Sequence, residues 1–293
     1  MFRPAFVFLA AALLAGCGGD DDPERELQPG TLIRIGVVDH ERLVGEGARV
    51  EVNRINNAGG IAGEAIVELE RGSVRELVDA GVRLIVLPCR RGLQEEAERV
   101  AEGGALAVAP CDDGRLDPLP EGVFAVGLSP EAQARALAER VDGEAVVLPA
   151  QTRRGRRVAA LLEVSEEGST RVSPDAPERA QAPPEAPDGT LFATFGFPQP
   201  GNRTDEFYER FRAVFGRRPE SVVAALASDA LTVLAVAIES AGSADPRFVE
   251  AELLDGLNAR GVLGDVELSG DSTHAEVDAT IVRLRDGRLR VDP

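Results

Sequence analysis

The chain carries few groups suited to covalent chemistry. Its histidines are His40 and His274, and its cysteines are Cys17, Cys89 and Cys111. His274 closes the run Gly270-Asp271-Ser272-Thr273-His274, which reads as a polar turn. The acid, hydroxyl and imidazole there are too close in sequence to form a catalytic triad, and no G-x-S-x-G nucleophile elbow occurs. His40, between Asp39 and Glu41 behind an apolar run, reads as a loop residue. Gly36 is not followed by G-x-G-x-x-G and there is no Walker A run, so nucleotide cofactors are not indicated. Asn202-Arg203-Thr204 matches a glycosylation sequon by pattern and reads as a helix start. No catalytic residue, cofactor or metal site is expected, and the chain is not read as an enzyme.

Cys17 stands apart. It follows Leu14-Ala15-Gly16, behind Arg3 and the apolar run from Ala5 to Leu14. That run is too short to span a bilayer and has the form of a signal h-region. Small residues directly before the cysteine resemble the lipobox cut by bacterial lipoprotein signal peptidase. A thiol is what a thioether-linked diacylglycerol requires. Residues 1–16 are expected to be a signal peptide, Cys17 to carry lipid, and 17–30 to form a flexible tether. Each buried CH2 contributes about 0.8 kcal/mol, so two or three acyl chains anchor firmly. A secretory signal with an incidental cysteine is the competing reading. Either way the protein is expected on the extracytoplasmic side, at the membrane or in a periplasm. Disulfides persist there, and Cys89 and Cys111 could form one bridge.

The 293 residues are 44% hydrophobic, with 32 basic and 50 acidic residues and a net charge of −18. All the basic residues are Arg. Such acidity removes the electrostatic footprint of a nucleic-acid binder. It also repels an anionic bilayer, leaving covalent attachment or insertion as routes to a membrane. No apolar run is read as reaching the roughly 18 residues of a spanning helix. The length fits one large domain or two small ones.

Hydrophobic periodicity supplies the elements. Apolar runs at 32–38, 65–69, 82–87, 105–109 and 123–126 read as strands, separated by a helical stretch around Ala48 to Ile55 and helical patterns at 73–80 and 92–102. This alternation predicts βαβ units and a parallel sheet. Ala48, Val52 and Ile55 share one helix face, stopped by Gly59-Gly60. Ser73 with Glu76 forms a capping-box pattern. Ser129 is expected to cap a helix over 130–141, followed by a strand at 144–148 and a helix over 153–163. Residues 173–189 hold five Pro and four acids and read as irregular. A strand is expected at 190–195, then helices over 203–215, 221–241 and 245–258. Strands at 262–268 and 279–284 follow, with a hairpin turn at Asp286-Gly287. No internal repeat is found.

Several of these segments, in order, resemble the leucine/isoleucine/valine-binding family of type I periplasmic solute-binding proteins. The segments are Ile33-Arg34-Ile35-Gly36-Val37, Asn53 to Gly63 (NRINNAGGIAG), and Val123-Phe124 with Ser129-Pro130-Glu131-Ala132-Gln133. They continue with Phe207 to Phe215 followed by Gly216 and Pro219, Ala224 to Ala230 (AALASDA), and Val262 to Leu268. The resemblance implies an α/β fold of two lobes with parallel sheets and a ligand held between them, lobe II being much reduced. Lobe I would comprise about 31–127 and 200–275, and lobe II 128–199 and 276–293. It also implies a small-molecule, amino-acid-like ligand and an ABC permease and ATPase as partners.

The loops expected to hold ligand depart from the family. After the third strand comes Pro88-Cys89-Arg90-Arg91-Gly92, and after the fourth Pro110-Cys111-Asp112-Asp113-Gly114. In lobe II the loop expected to supply a Tyr reads Ala150-Gln151-Thr152-Arg153-Arg154, and the only Tyr, Tyr208, falls in a lobe I helix. The ligand-binding candidates are thus Arg90, Arg91, Asp112, Asp113 and Gln151. The charges could clamp the two ends of a zwitterion, pair with one another, or be solvated loop charges. Cys89 and Cys111 fall at the ends of neighbouring strands, where a disulfide fits; free thiols are the alternative. The function expected is solute binding for an importer. The alternative is a degenerate scaffold serving as an envelope sensor or interaction module.

Overall fold

The computed structural model describes residues 27–38, 41–88, 92–111, 119–141, 145–162, 170–175, 186–270 and 272–292. The signal segment, Cys17 and most of the tether lie outside these residues. The chain begins with β1 (Leu32–Val38), α1 (Arg42–Asn57), β2 (Ile66–Gly72), α2 (Val74–Asp79), β3 (Leu84–Val86), α3 (Leu93–Glu102), β4 (Leu106–Ala109) and β5 (Val123–Gly127). It continues through α4 (Pro130–Ala138), β6 (Ala145–Val147), α5 (Arg153–Leu161), β7 (Thr170–Ser173) and β8 (Leu191–Phe195). Then come α6 (Arg203–Phe215), α7 (Val223–Ala241), α8 (Pro246–Asp255), β9 (Leu257–Arg260), β10 (Asp265–Leu268) and β11 (His274–Val277). The hairpin of β12 (Ala279–Arg285) and β13 (Arg288–Val291) ends it.

Two sheets result. The first has the order β2-β1-β3-β4-β5-β11-β10-β9, and the second β13-β12-β8-β7-β6. In the first, β2, β1, β3, β4, β5 and β11 run parallel, while β10 and β9 are added antiparallel. In the second, β6, β7 and β8 run parallel and the hairpin is added antiparallel. The chain passes between the sheets three times: after β5, between β8 and α6, and at Asp278 between β11 and β12.

Local chemistry explains the elements. β3 to β5 are buried along their whole length, as expected of parallel strands covered on both faces. Asn56 brackets the start of β2, donating from Nδ2 to the Val67 carbonyl (2.8 Å) and accepting from the Val67 N–H (2.9 Å). Gly59 and Gly60 then turn the chain at φ 108° and 93°. A Cβ at Gly60 would stand 2.2 Å from the Ala65 carbonyl oxygen, so this turn needs a residue without one. Both bonds of the Ser73–Glu76 capping box form. Asp286 and Gly287, at φ 51° and 71°, make the tight β12–β13 turn.

Helix α1 lies along α7 in the core of the first sheet. Their approach is set by Gly47, where a Cβ would stand 1.9 Å from the Ala224 carbonyl oxygen. Between them Glu51 is buried, accepting from Ser228 Oγ and Thr232 Oγ1 (3.0 Å each) and pairing with Arg54 (2.6 Å).

Several expectations need correction. β7 is a strand where none was expected, because four residues with a mixed pattern carry no detectable period. The helix expected to reach Asn258 stops at Asp255, where Gly256 at φ 103° breaks it, and β9 follows. The strand expected from Val262 starts only at Asp265. His274 begins β11 rather than ending a turn; pairing with β5 (His274 opposite Ala125) decides this. A helix long and apolar enough to cross a membrane does exist, namely α7. It escapes a simple run count because Ser228, Asp229 and Thr232 interrupt it. It is buried along both faces as a core helix.

Candidate functional site

In open α/β sheets, ligands bind in the crevice outside the carboxyl ends of the parallel strands. Those ends are therefore the place to build a site. In the first sheet, β3 leads to Leu87-Pro88 and β4 to Pro110-Cys111. Cys111 is buried, its N–H bonds to the Ala109 carbonyl (2.7 Å), and its sulfur is in a disulfide. The chain's other two cysteines, Cys17 and Cys89, lie outside the described residues, as do Arg90, Arg91, Asp112, Asp113 and His40.

In the second sheet, β6 leads to the loop at 148–152 and β7 to Pro174-Asp175. Gln151 is exposed; its N–H donates to Asp175 Oδ2 (2.7 Å) and its side chain turns to the Pro149 carbonyl (3.5 Å). Thr152 caps α5, accepting from the Gly155 N–H (2.8 Å). It also donates to Asp175 from both its N–H (3.0 Å) and its hydroxyl. Gln151 is thus the one ligand-binding candidate that the described residues place, and it is tied to Asp175, which sequence reasoning did not single out. Twenty-three residues separate Asp175 from Thr152, so no local pattern announces the contact.

The first crossing is held by polar groups. Gln133 is fully buried; its Nε2 donates to the Pro174 carbonyl (2.9 Å) and its Oε1 accepts from Arg154 Nε (2.8 Å). Arg154 also donates to the Leu128 carbonyl, and its guanidinium lies 5.4 Å from the Phe195 ring centre. Ser129 caps α4, accepting from the Ala132 N–H, and donates to Glu276 Oε1 (3.0 Å), linking the first and third crossings. A cavity of about 410 Å³ opens beside these crossings, lined by α4 and by β9 to β12. Its carboxylates are Glu139, Asp265, Glu267, Glu276 and Asp278, with Arg135 as the single guanidinium. A second, of about 270 Å³, lies at the middle crossing between Gln199, Asn202 and Arg203 on one side and Leu263 and Thr280 on the other. Among the described residues, no group of three or more His, Cys, Asp or Glu is placed to hold a metal.

One buried acid is structural. Asp229 accepts from the Val262 N–H and from the Leu263 N–H (3.1 Å), joining α7 to the turn before β10. Burial pushes its carboxyl up to about 7, helped by the nearby Glu51 and opposed by those two N–H groups and by Arg203. Tyr208 is likewise a core residue of α6, its hydroxyl pushed up by burial. Asn202 of the sequon caps α6, accepting from the Asp205 N–H (2.8 Å).

No family model matches the chain. No curated protein matches it either. Solved structures do. A putative branched-chain amino acid ABC transporter protein from Rhodospirillum rubrum superposes with a TM-score of 0.70 at 16% identity, covering 90% of this chain and 100% of that one. An ABC transporter substrate-binding protein from Desulfitobacterium hafniense, in complex with Leu, gives 0.64 at 20% identity over 89% and 100%. An ABC transporter solute-binding protein from Rhodopseudomonas palustris BisB5, in complex with 3,4-dihydroxybenzoic acid, gives 0.65 at 11% identity over 88% and 95%. The chain has the type I periplasmic-binding-protein fold of these neighbours.

Proposed function

We propose that the chain is an extracytoplasmic solute-binding protein of an ABC importer, tethered through lipid on Cys17 and taking a small polar metabolite such as an amino acid or amide. The observation that supports this most is the fold, two α/β sheets between which the chain passes three times, which superposes along nearly its whole length on proteins named as ABC transporter substrate-binding and solute-binding proteins. In this reading, residues 31–127 with 200–275 form lobe I, and residues 128–199 with 276–293 form a smaller lobe II. Arg90, Arg91, Asp112, Asp113 and Gln151 line the cleft. Guanidinium meets carboxylate and carboxylate meets ammonium at the two ends of a zwitterion. Cys89 is the partner of Cys111, pinning the two lobe I loops together. A permease and ATPase take the released ligand.

The test is a thermal-shift panel on the full, oxidised chain in detergent, with amino acids, amides, short acids and hydroxybenzoates. Ligand at 100 times its Kd stabilises by about 2.7 kcal/mol. A saturable shift with one chemical class supports the importer reading. A cooperatively melting protein that no compound shifts overturns it in favour of a scaffold that senses or docks at the envelope without transport. Release of a Cys17→Ser variant from the membrane fraction tests the anchor.

A further inference from the structure

We infer that Arg154 is a conformational clasp: its guanidinium ties the first and second crossings to the second sheet and limits how far the two sheets turn against each other. The clasp rests on the fold alone; its consequence, control over a cleft between the sheets, rests on the solute-binding reading.

The three crossings are not equivalent. The third is the shortest: Glu276 pairs with Gly127 in the first sheet, Ala279 pairs with Phe195 in the second, and Val277 and Asp278 lie between those pairings. A link this short is a pivot, since a hinge needs only a few residues to absorb a change in backbone angles. How far it turns is decided by the two outer crossings. The first leaves the first sheet after Gly127, through Leu128 and Ser129 into α4. The second leaves the second sheet after Phe195, through Gly196 towards α6.

Arg154 spans this outer pair. It donates to the Leu128 carbonyl on the first crossing, and its guanidinium lies 5.4 Å from the ring centre of Phe195 at the root of the second. A planar guanidinium has donors on its edge and a face that meets an aromatic ring, so one group serves both crossings. The side chain is itself held from the second sheet. Its Nε donates to Gln133 Oε1 (2.8 Å), and fully buried Gln133 donates from Nε2 to the Pro174 carbonyl (2.9 Å) just beyond β7. Arg154 therefore moves with the second sheet and keeps Leu128 and Phe195 with it. Two contacts then fix the clasped unit against the first sheet. Ser129 Oγ donates to Glu276 on β11 (3.0 Å), and Gly196 lies so close to the turn before β10 that a Cβ there would stand 2.7 Å from the Leu263 carbonyl oxygen. Without the clasp, Leu128 and Phe195 are free to shift separately, and the pivot takes more than one angle.

The experiment measures the distance between the sheets by pulsed electron spin resonance on the full-length chain in detergent, without ligand. Spin labels on unnatural amino acids replace exposed Arg75 of α2 and exposed Arg288 of β13, leaving the native cysteines untouched. The otherwise wild-type chain is compared with Arg154→Ala, Arg154→Lys and Arg157→Ala, each verified as folded by circular dichroism. Arg157 is the control, being on the same helix with a surface ion pair to Glu131 (3.3 Å). The otherwise wild-type chain and Arg157→Ala should share one distance distribution. Arg154→Ala should add a second population above about 10%, the upper end for a minor state that a folded protein holds in check. Arg154→Lys should add it too, because an ammonium keeps the charge but has neither the edge nor the face of the guanidinium. The inference is overturned if folded Arg154→Ala keeps the wild-type distribution, or if Arg157→Ala changes it equally. Should Arg154→Ala not fold, Arg154→Lys, which retains the stem and the charge, decides: a wild-type distribution overturns the clasp. No ligand enters the measurement, so its result stands apart from the outcome of the ligand panel.

Discussion

Asp229 gives a prediction whose sign runs against intuition. Two backbone N–H groups point at this carboxylate, which suggests a stabilised anion. Yet the side chain is fully buried and shares its surroundings with Glu51, and its carboxyl titrates at about 7 rather than 3.8. Between those two values the folded state holds a proton that the unfolded state has lost. Stability from this group is therefore fully present below about pH 4 and is lost as pH rises through about 7. At about 1.4 kcal/mol per unit over roughly three units, the total loss approaches about 4 kcal/mol. Asp229→Asn removes the titration. Its amide resembles the neutral acid, with one oxygen for one N–H and a donor facing the other. A Cβ at Gly261 would stand 2.8 Å from the Asp229 carboxyl, so the loop leaves little room for rearrangement. Urea unfolding followed by circular dichroism from pH 4 to 9 should find variant and wild type within about 1 kcal/mol at pH 4. By pH 9 the variant should be the more stable. If the variant is less stable at pH 9, or the two curves run parallel, the N–H donors outweigh burial and the reasoning is refuted.

Other perturbations have expected outcomes too. Gly47→Ala should destabilise by more than about 1 kcal/mol in urea unfolding, despite the better helix propensity of Ala, because the new Cβ meets the Ala224 backbone, not a movable side chain. Glu51→Ala should cost about 3 kcal/mol in the same assay, leaving Ser228, Thr232 and Arg54 without their shared acceptor. On the proposed Cys89–Cys111 pairing, Cys111→Ser should cost about 3 kcal/mol, the scale for closing a loop of roughly 20 residues; Cys89→Ser should match it, and dithiothreitol should bring wild type to the same melting point, whereas a Cys89→Ser variant as stable as wild type refutes the pairing.

Elements with a long local period were legible from the residues. α6 appears with the expected bounds because Phe207, Phe211 and Phe215 repeat every four residues between an Asn cap and Gly216. The capping box at Ser73 and the hairpin at Asp286-Gly287 are local chemistry and form as expected. β7, β9 and β11 were not legible, since each is four residues long and exists only because a neighbouring strand offers hydrogen bonds. The candidate site divides in the same way. Gln151 was singled out by the family resemblance of its loop, whereas Asp175, Gln133 and Arg154 act across 21 to 41 residues and carry no motif.

The sequence by itself determined the alternation of strands and helices, the turns that need glycine and the net acidity of the chain. These follow from side-chain periodicity, backbone sterics and net charge, none of which depends on distant contacts. Tertiary structure decided which strands join which sheet, that the apolar α7 is a core helix, and that Asp229 lies buried against backbone N–H groups. It also decided that the Gln151 and Thr152 amides, ahead of α5, receive a carboxylate from the far end of β7. Each of these depends on groups meeting after the chain has crossed between sheets, and a polar residue's partner is set by that meeting.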